Sequence, residues 1–140
     1  MKASDSRYRK CLYFSAGALS RKVEKLAKES WKKVKLSPSH AYLLMVVLDE
    51  PGIQPTILGE ELVLAPSTIT RLIEKLEEKK LVHRVTEGKT TSVHPTAKAK
   101  SMYPHLRQCL YDFYDKYCSI LGKEESVRMV QAINRLTDKL

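Results

Sequence analysis

The stretch "APSTITRLIEKLEEKKLVHR", Ala65 to Arg84, and the residues after it change their apolar period partway along, and this restricts the fold more than any other feature. Ile69, Leu72, Ile73 and Leu76 fall at i, i+3, i+4 and i+7, the inward stripe of an amphipathic helix. From Leu81 the period drops to two, in "LVHRVT" and again in "TTSVH", which predicts two short strands around "EGK". Gly88 can supply the positive φ of the hairpin between them.

Boundary signals place the other elements. Ser37 as N-cap and Pro38 at the first helical position start a helix that stops at Asp49-Glu50-Pro51-Gly52. Its "AYLLMVVL" is apolar all round, so the start and stop signals, not periodicity, decide for helix over strand. After Pro55 comes a short segment, "TILGEEL", with Thr56 as its predicted cap. Upstream, Leu12, Ala16, Leu19, Val23 and Leu26 are spaced as the seam of a helix running from near Ser6 to near Ser30, with Trp31 to Leu36 as the connection. Downstream, Pro95 to Gly122 reads as one long helix striped by Met102, Leu106, Leu110, Phe113, Tyr117 and Ile120, with Pro104 as a kink site. Gly122 ends it, and Val127, Val130, Ile133 and Leu136 stripe a last helix.

Short helix, second helix, β-ribbon is the order of a winged helix-turn-helix. The predicted fold class is mainly α with a small β-wing: one domain over residues 1–140, with the winged core at about 37–95 and long helices at about 6–30 and 95–140. A chain of 140 residues is long enough for one real core and too short for two large ones.

The formal charge of +9 points to a nucleic-acid or other anionic partner, and its distribution is uneven. Residues 1–36 hold eleven basic and three acidic groups, residues 37–62 four acids and no Lys or Arg, and residues 63–100 eight basic and four acidic groups. The N-terminal basic block has no partner that the sequence identifies. "MKASDSRYRKCLYFSAGALS" imitates a secretory signal, but Ser and Gly break its apolar stretch and the 3/4 spacing continues through it as an intact helix. No run approaches the ~18 apolar residues of a membrane span, so a cytoplasmic protein without a membrane partner is expected.

In a helix-turn-helix the second helix enters the major groove and touches base edges near its N-terminus. Ser67, Thr68 and Thr70 are short donors and acceptors for phosphates or base edges, and Arg71 can fork onto the two acceptors of a guanine. Lys75, Arg84 and Lys89 are candidates for the backbone, whereas Glu74, Glu77 and Glu78 lie further along, where the helix leaves the groove. Ser, Thr and Pro also serve plain capping in a first turn. Ala65 occupies the cap position with no side-chain acceptor, which leaves the first N–H groups for water or a phosphate.

Taken together, "LSPSHAYLLMVVL", "PSTITRLIEKLEEKKLVHR" and "VHPTAKAKSMYPHL" resemble, in that order, the second helix, the recognition helix with first wing strand, and the wing exit of the multiple antibiotic resistance regulator (MarR) family. The resemblance covers about Cys11 to Leu140. It implies a homodimer, joined by the terminal helices, that sets two recognition helices in successive major grooves of a near-palindromic operator in double-stranded DNA. It also implies a repressor released by a small aromatic or anionic effector held between the dimer helices and the winged core. Two departures stand out: Lys80 occupies the place of a frequent Gly before the first wing strand, and the short tip Glu87-Gly88-Lys89 lacks the family's Asp-Arg pair. Lys89 is the nearest substitute, a point charge suited to phosphate.

Cys11, Cys109 and Cys118 form no C-x-x-C and suit a reducing compartment. The family's peroxide-sensing branch carries a reactive Cys in the first helix, so Cys11, with Cys118 of the partner subunit, is the redox candidate and redox sensing an alternative function. A winged domain that binds protein without DNA is another. His40, His83, His94 and His105 show no metal-ligand spacing, and no Gly-rich phosphate loop is present; neither enzyme activity, metal nor cofactor is expected.

Overall fold

The computed structural model describes all 140 residues. Six α-helices and one hairpin follow in the order α1 (Leu12–Trp31), α2 (Pro38–Asp49), α3 (Pro55–Leu62), α4 (Pro66–Glu78), β1 (Val82–Glu87), β2 (Thr90–Pro95), α5 (Ala97–Leu121) and α6 (Lys123–Lys139), with a 3₁₀ turn, Lys32–Val34, joining α1 to α2. This is a winged helix-turn-helix carried between long terminal helices, and the mainly α class with a small wing is as expected.

The boundaries follow local chemistry. Ser37 caps α2 through its Oγ, which accepts from the His40 N–H, with Pro38 at the first helical position. At α3 the cap position falls to Gln54 with Pro55 first in the helix, so Thr56 lies inside and does not cap. Pro55 needs no N–H there and starts the helix two residues earlier than a hydroxyl search indicates. The first helix begins at Leu12 and not near Ser6: Cys11 is extended (φ −95°, ψ 126°), and Ser6 to Lys10 form turns closed by Arg9 N–H to Ser6 O and Cys11 N–H to Tyr8 O. Thr96 caps α5 by accepting from the Ala99 N–H at 3.2 Å, while its own hydroxyl donates to Lys80 O at 2.8 Å. One side chain thus ties the start of α5 to the corner where α4 turns into the wing.

That corner has the predicted difficulty. Lys80 sits at φ +60°, the left-handed conformation that Gly adopts more easily. β1 and β2 pair antiparallel, from Val82 opposite Pro95 to Glu87 opposite Thr90, with Gly88 at φ +62° in the tip. Ile53, between α2 and α3, adds a bridge on the far side of β2: Gly52 N–H donates to Val93 O at 2.8 Å and Val93 N–H to Ile53 O at 2.9 Å. The wing is therefore anchored to the start of the helix-turn-helix as well as to its end.

The core gathers around α2, whose Ala41, Leu43, Leu44 and Val47 are fully buried, against Ile69, Ile73 and Leu76 of α4 and Leu106 of α5. Trp31, taken as part of a connection, is instead a fully buried core residue. Its ring meets Tyr42 of α2 edge-on at 5.1 Å and Phe113 of α5 at 5.6 Å, which locks α1, α2 and α5 together. The α5 stripe divides: Leu106 and Phe113 are buried, Met102 and Tyr117 partly so, but Leu110 and Ile120 face outward and Cys109 is buried in their stead. No helix is long and apolar enough to cross a membrane.

Candidate nucleic-acid interface

The turn of the helix-turn-helix runs from Val63 to Ala65. Val63 holds φ +54°, an uncommon conformation for a β-branched residue, and Leu64 N–H closes the turn on Gly59 O at 3.0 Å. A Cβ at Gly59 would lie 3.1 Å from Leu64 O, so a larger residue there would push the turn open by a few tenths of an ångström. α4 then emerges with Ala65 as an N-cap that offers no side-chain acceptor. Pro66 has no N–H, and the N–H groups of Thr68 and Ile69 both reach Ala65 O, at 3.0 and 3.1 Å. The Ser67 amide is left pointing out of the helix end without a backbone acceptor.

α4 is strongly two-faced. Ile69, Leu72, Ile73 and Leu76 are buried, while Ser67, Arg71, Glu74 and Glu78 are exposed on the other side. Thr70 is exposed but its hydroxyl already donates to Pro66 O at 3.0 Å, so it faces a ligand as an acceptor. Arg71 Nη2 lies 3.5 Å from Thr68 Oγ1, at the outer limit of a hydrogen bond. The first two turns of α4 contain no carboxylate, and two of the three further along are matched by cations. Arg84 of β1 pairs with Glu77 at 2.7 Å, and Lys75 with Glu78 at 3.4 Å. The structure therefore brings Ser67, Thr68, Thr70 and Arg71 to one tip and ties Arg84 and Lys75 to carboxylates of α4. Lys89 stands apart, exposed at the wing tip and in no ion pair.

A basic neighbourhood that sequence inspection missed surrounds His40 at the start of α2. Burial first, then the charges of Lys79 and Lys75, hold its imidazole below the ordinary value of 6.5. Lys79 and Lys98 meet at the C-terminal end of α4, where Lys98 Nζ donates to Lys79 O at 3.1 Å. These positions are distant in sequence, and only the fold converges them.

Between α2, α3 and α5 runs a cleft of about 440 Å³, lined in part by Tyr42, Met45, Asp49, Glu61, Tyr103 and Arg107. The Tyr103 hydroxyl donates to the Asp49 carboxylate, and this bond keeps the phenol above its ordinary range. The Arg107 guanidinium lies 5.8 Å from the Tyr103 ring centre. The cysteines are separate: Cys11 is exposed just before α1, Cys118 is half-buried on α5, and Cys109 is buried. The Cys118 thiol, one turn on from Tyr114, holds that phenol above its ordinary range.

Residues 35–90 match the family profile MarR_2, described as the MarR family. Solved structures share the fold across almost the whole chain. The transcriptional repressor CouR bound to p-coumaroyl-CoA is 14% identical with a TM-score of 0.86, covering 99% of this chain and 100% of that one. A mutant of MarR from E. coli complexed with operator DNA is 14% identical at 0.80, covering 94% and 99%. The PcaV transcriptional regulator from Streptomyces coelicolor, in complex with its natural ligand, is 17% identical at 0.78, covering 99% and 96%. No curated protein matches the sequence.

Proposed function

We propose that this chain, a MarR-family transcriptional regulator by its residue 35–90 winged helix-turn-helix, works as a homodimeric repressor. It reads a near-palindromic operator in double-stranded DNA through α4 and lets go when a small effector binds. The observation that carries this is the tip of α4: an exposed, uncapped helix start bearing Ser67, Thr68, Thr70 and Arg71, with every α4 carboxylate from Glu74 onward. Such an end is complementary to a polyanion, because the unpaired amide and the helix dipole favour negative charge there. Arg71 is the residue for a guanine edge. Lys89 takes a phosphate from the wing, and Arg84 and Lys75 reach the backbone by exchanging Glu77 and Glu78 for phosphate oxygens.

The dimer is supported by apolar stripes that the single chain leaves in solvent. Leu12, Leu19 and Val23 of α1, Ile120 of α5, and Val127, Val130, Ile133 and Leu136 of α6 are all exposed. Paired across a two-fold axis, such helices form the rigid frame that sets two recognition helices ~34–36 Å apart, one turn of B-DNA. A small aromatic or anionic effector has a place in the α2/α3/α5 cleft, where Tyr42 and Tyr103 offer ring faces and Arg107 a cation. That cleft joins the first helix of the helix-turn-helix to a helix of the proposed frame, so its occupant touches both moving parts.

Duplexes selected from a random pool, titrated by fluorescence anisotropy at rising salt, test the proposal. Retention of a competable, paired-half-site sequence, with affinity collapsing between ~50 and 200 mM salt, is the expected result. Salt-insensitive binding, or no selected sequence at all, overturns it.

A further inference from the structure

His83 and His94 stand too far apart in the linear chain to form a metal motif, yet the hairpin register sets them directly opposite each other on β1 and β2. Their rings lie nearly parallel, with 19° between the planes and 5.5 Å between the centres. Alternation along the strands puts both on one face of the wing with Val85 and Ser92, and puts Arg84 and Val93 on the other. Val93 is fully buried and His83 is exposed, so the histidine face is the one turned away from the core.

The half-buried His94 ring is held on two sides. Ser92 Oγ lies 3.0 Å from its Nε2. Gly52, at φ +90°, leaves the ring its room, because a Cβ there would come within 3.3 Å of His94 Cε1. Nδ1 of His94 and both nitrogens of His83 make no hydrogen bond within the chain. Cross-strand stacking accounts for the contact between the rings, but it uses none of these nitrogens.

We propose that His83 and His94 form a two-imidazole site on the wing for a divalent transition ion of the Zn²⁺ type. Imidazole nitrogen suits such ions, whereas Mg²⁺ and Ca²⁺ take oxygen ligands. With Zn–N bonds of about 2.0–2.1 Å at a tetrahedral angle, two imidazoles on one ion have ring centres about 5 Å apart, close to the separation found here. The exposed His83 ring turns about χ2 to aim a nitrogen at the ion, and His94, steadied at Nε2 by Ser92, offers Nδ1. No third His, Cys, Asp or Glu completes the set, so water takes the remaining positions. An ion so placed clamps β1 to β2 and, through His94, fixes the hairpin against the Gly52 turn. The site stands on its own residues and does not depend on α4 reading DNA.

Calorimetric titration of the full-length, untagged protein without DNA tests it, with ZnCl₂ as the probe and MgCl₂ as the control. Zn²⁺ is expected to bind saturably, one ion per chain, and to shift the imidazole ¹⁵N resonances of His83 and His94, while Mg²⁺ gives no heat of binding. His83→Gln and His94→Gln should each weaken Zn²⁺ at least ~tenfold, because losing a ligand costs no less than losing the outer-shell partner of one. Zn²⁺ should raise the melting temperature of the wild type and not that of His83→Gln, whose metal-free melting curve should match the wild type's, since His83 is exposed. Cys11→Ser, which removes the exposed thiol, should leave the affinity unchanged. The site is overturned if Zn²⁺ does not bind, if Mg²⁺ binds as tightly, if His83→Gln has no effect, or if Cys11→Ser abolishes binding and so places the ion at the thiol.

Discussion

Leu76 of α4 and Leu136 of α6 occupy equivalent places in amphipathic stripes, yet Leu76 is fully buried and Leu136 is 55% exposed. The same contrast holds between the whole winged core, residues 37–95, and the outer faces of α1 and α6. In the core the apolar stripes of α2 and α4 meet each other and Leu106 of α5; at the ends Leu12, Leu19 and Val23 of α1 and Val127, Val130, Ile133 and Leu136 of α6 are left 45–64% exposed. Helical spacing states that residues share a face, and it carries no information about what covers that face. One set of stripes closes within the molecule, and the other is the surface on which a second copy is proposed to close.

The two regions should respond differently to protein concentration. Leu76→Ala removes fully buried volume and should cost ~2–5 kcal/mol, measured by urea unfolding, at any protein concentration. Ile133→Asp should leave the core intact but shift sedimentation from dimer to monomer at micromolar protein and abolish operator retention; a variant that stays dimeric breaks the comparison. Arg71→Ala touches neither region, and should cost ~1–3 kcal/mol of operator affinity with relaxed choice at one base pair, seen by repeating the duplex selection. Lys89→Ala should weaken all sequences alike and lower the slope of log affinity against log salt by about one.

The smallest expected effect is a pH dependence located at the start of α2. Because the folded state holds His40 below its ordinary 6.5, the unfolded chain binds the proton more readily. The contribution is therefore full above the unfolded value and is lost as pH falls below about 6.5 through the folded one. Urea midpoints between pH 5 and 8 should fall on the acid side for the wild type and do so less for His40→Gln.

Parts of the candidate site were legible because they rest on local chemistry. The polar tip of α4, the uncapped Ala65, the hairpin at Gly88 and the strain at Lys80 all depend on residues within a turn of one another. Other parts depend on distant chain segments. Trp31 looked like a connection because it ends its helix, and only the arrival of Tyr42 and Phe113 makes it core. The left-handed turn at Val63 has no glycine to announce it. Arg84 reads as a free cation until β1 folds back and brings it to Glu77. Cys109, and not Leu110, is buried because the turn carrying Lys33 and Val34 packs on that flank of α5.

Sequence alone determined the order of elements, most helix starts and the period change from α4 to the wing, since caps, prolines and glycine act through dihedral angles and hydrogen bonds a few residues long. Tertiary structure decided which stripes are sealed, which cations remain unpaired and where a cleft opens between α2, α3 and α5. Those outcomes depend on distances between segments far apart in the chain, and burial and Coulomb energy respond to distance in space alone.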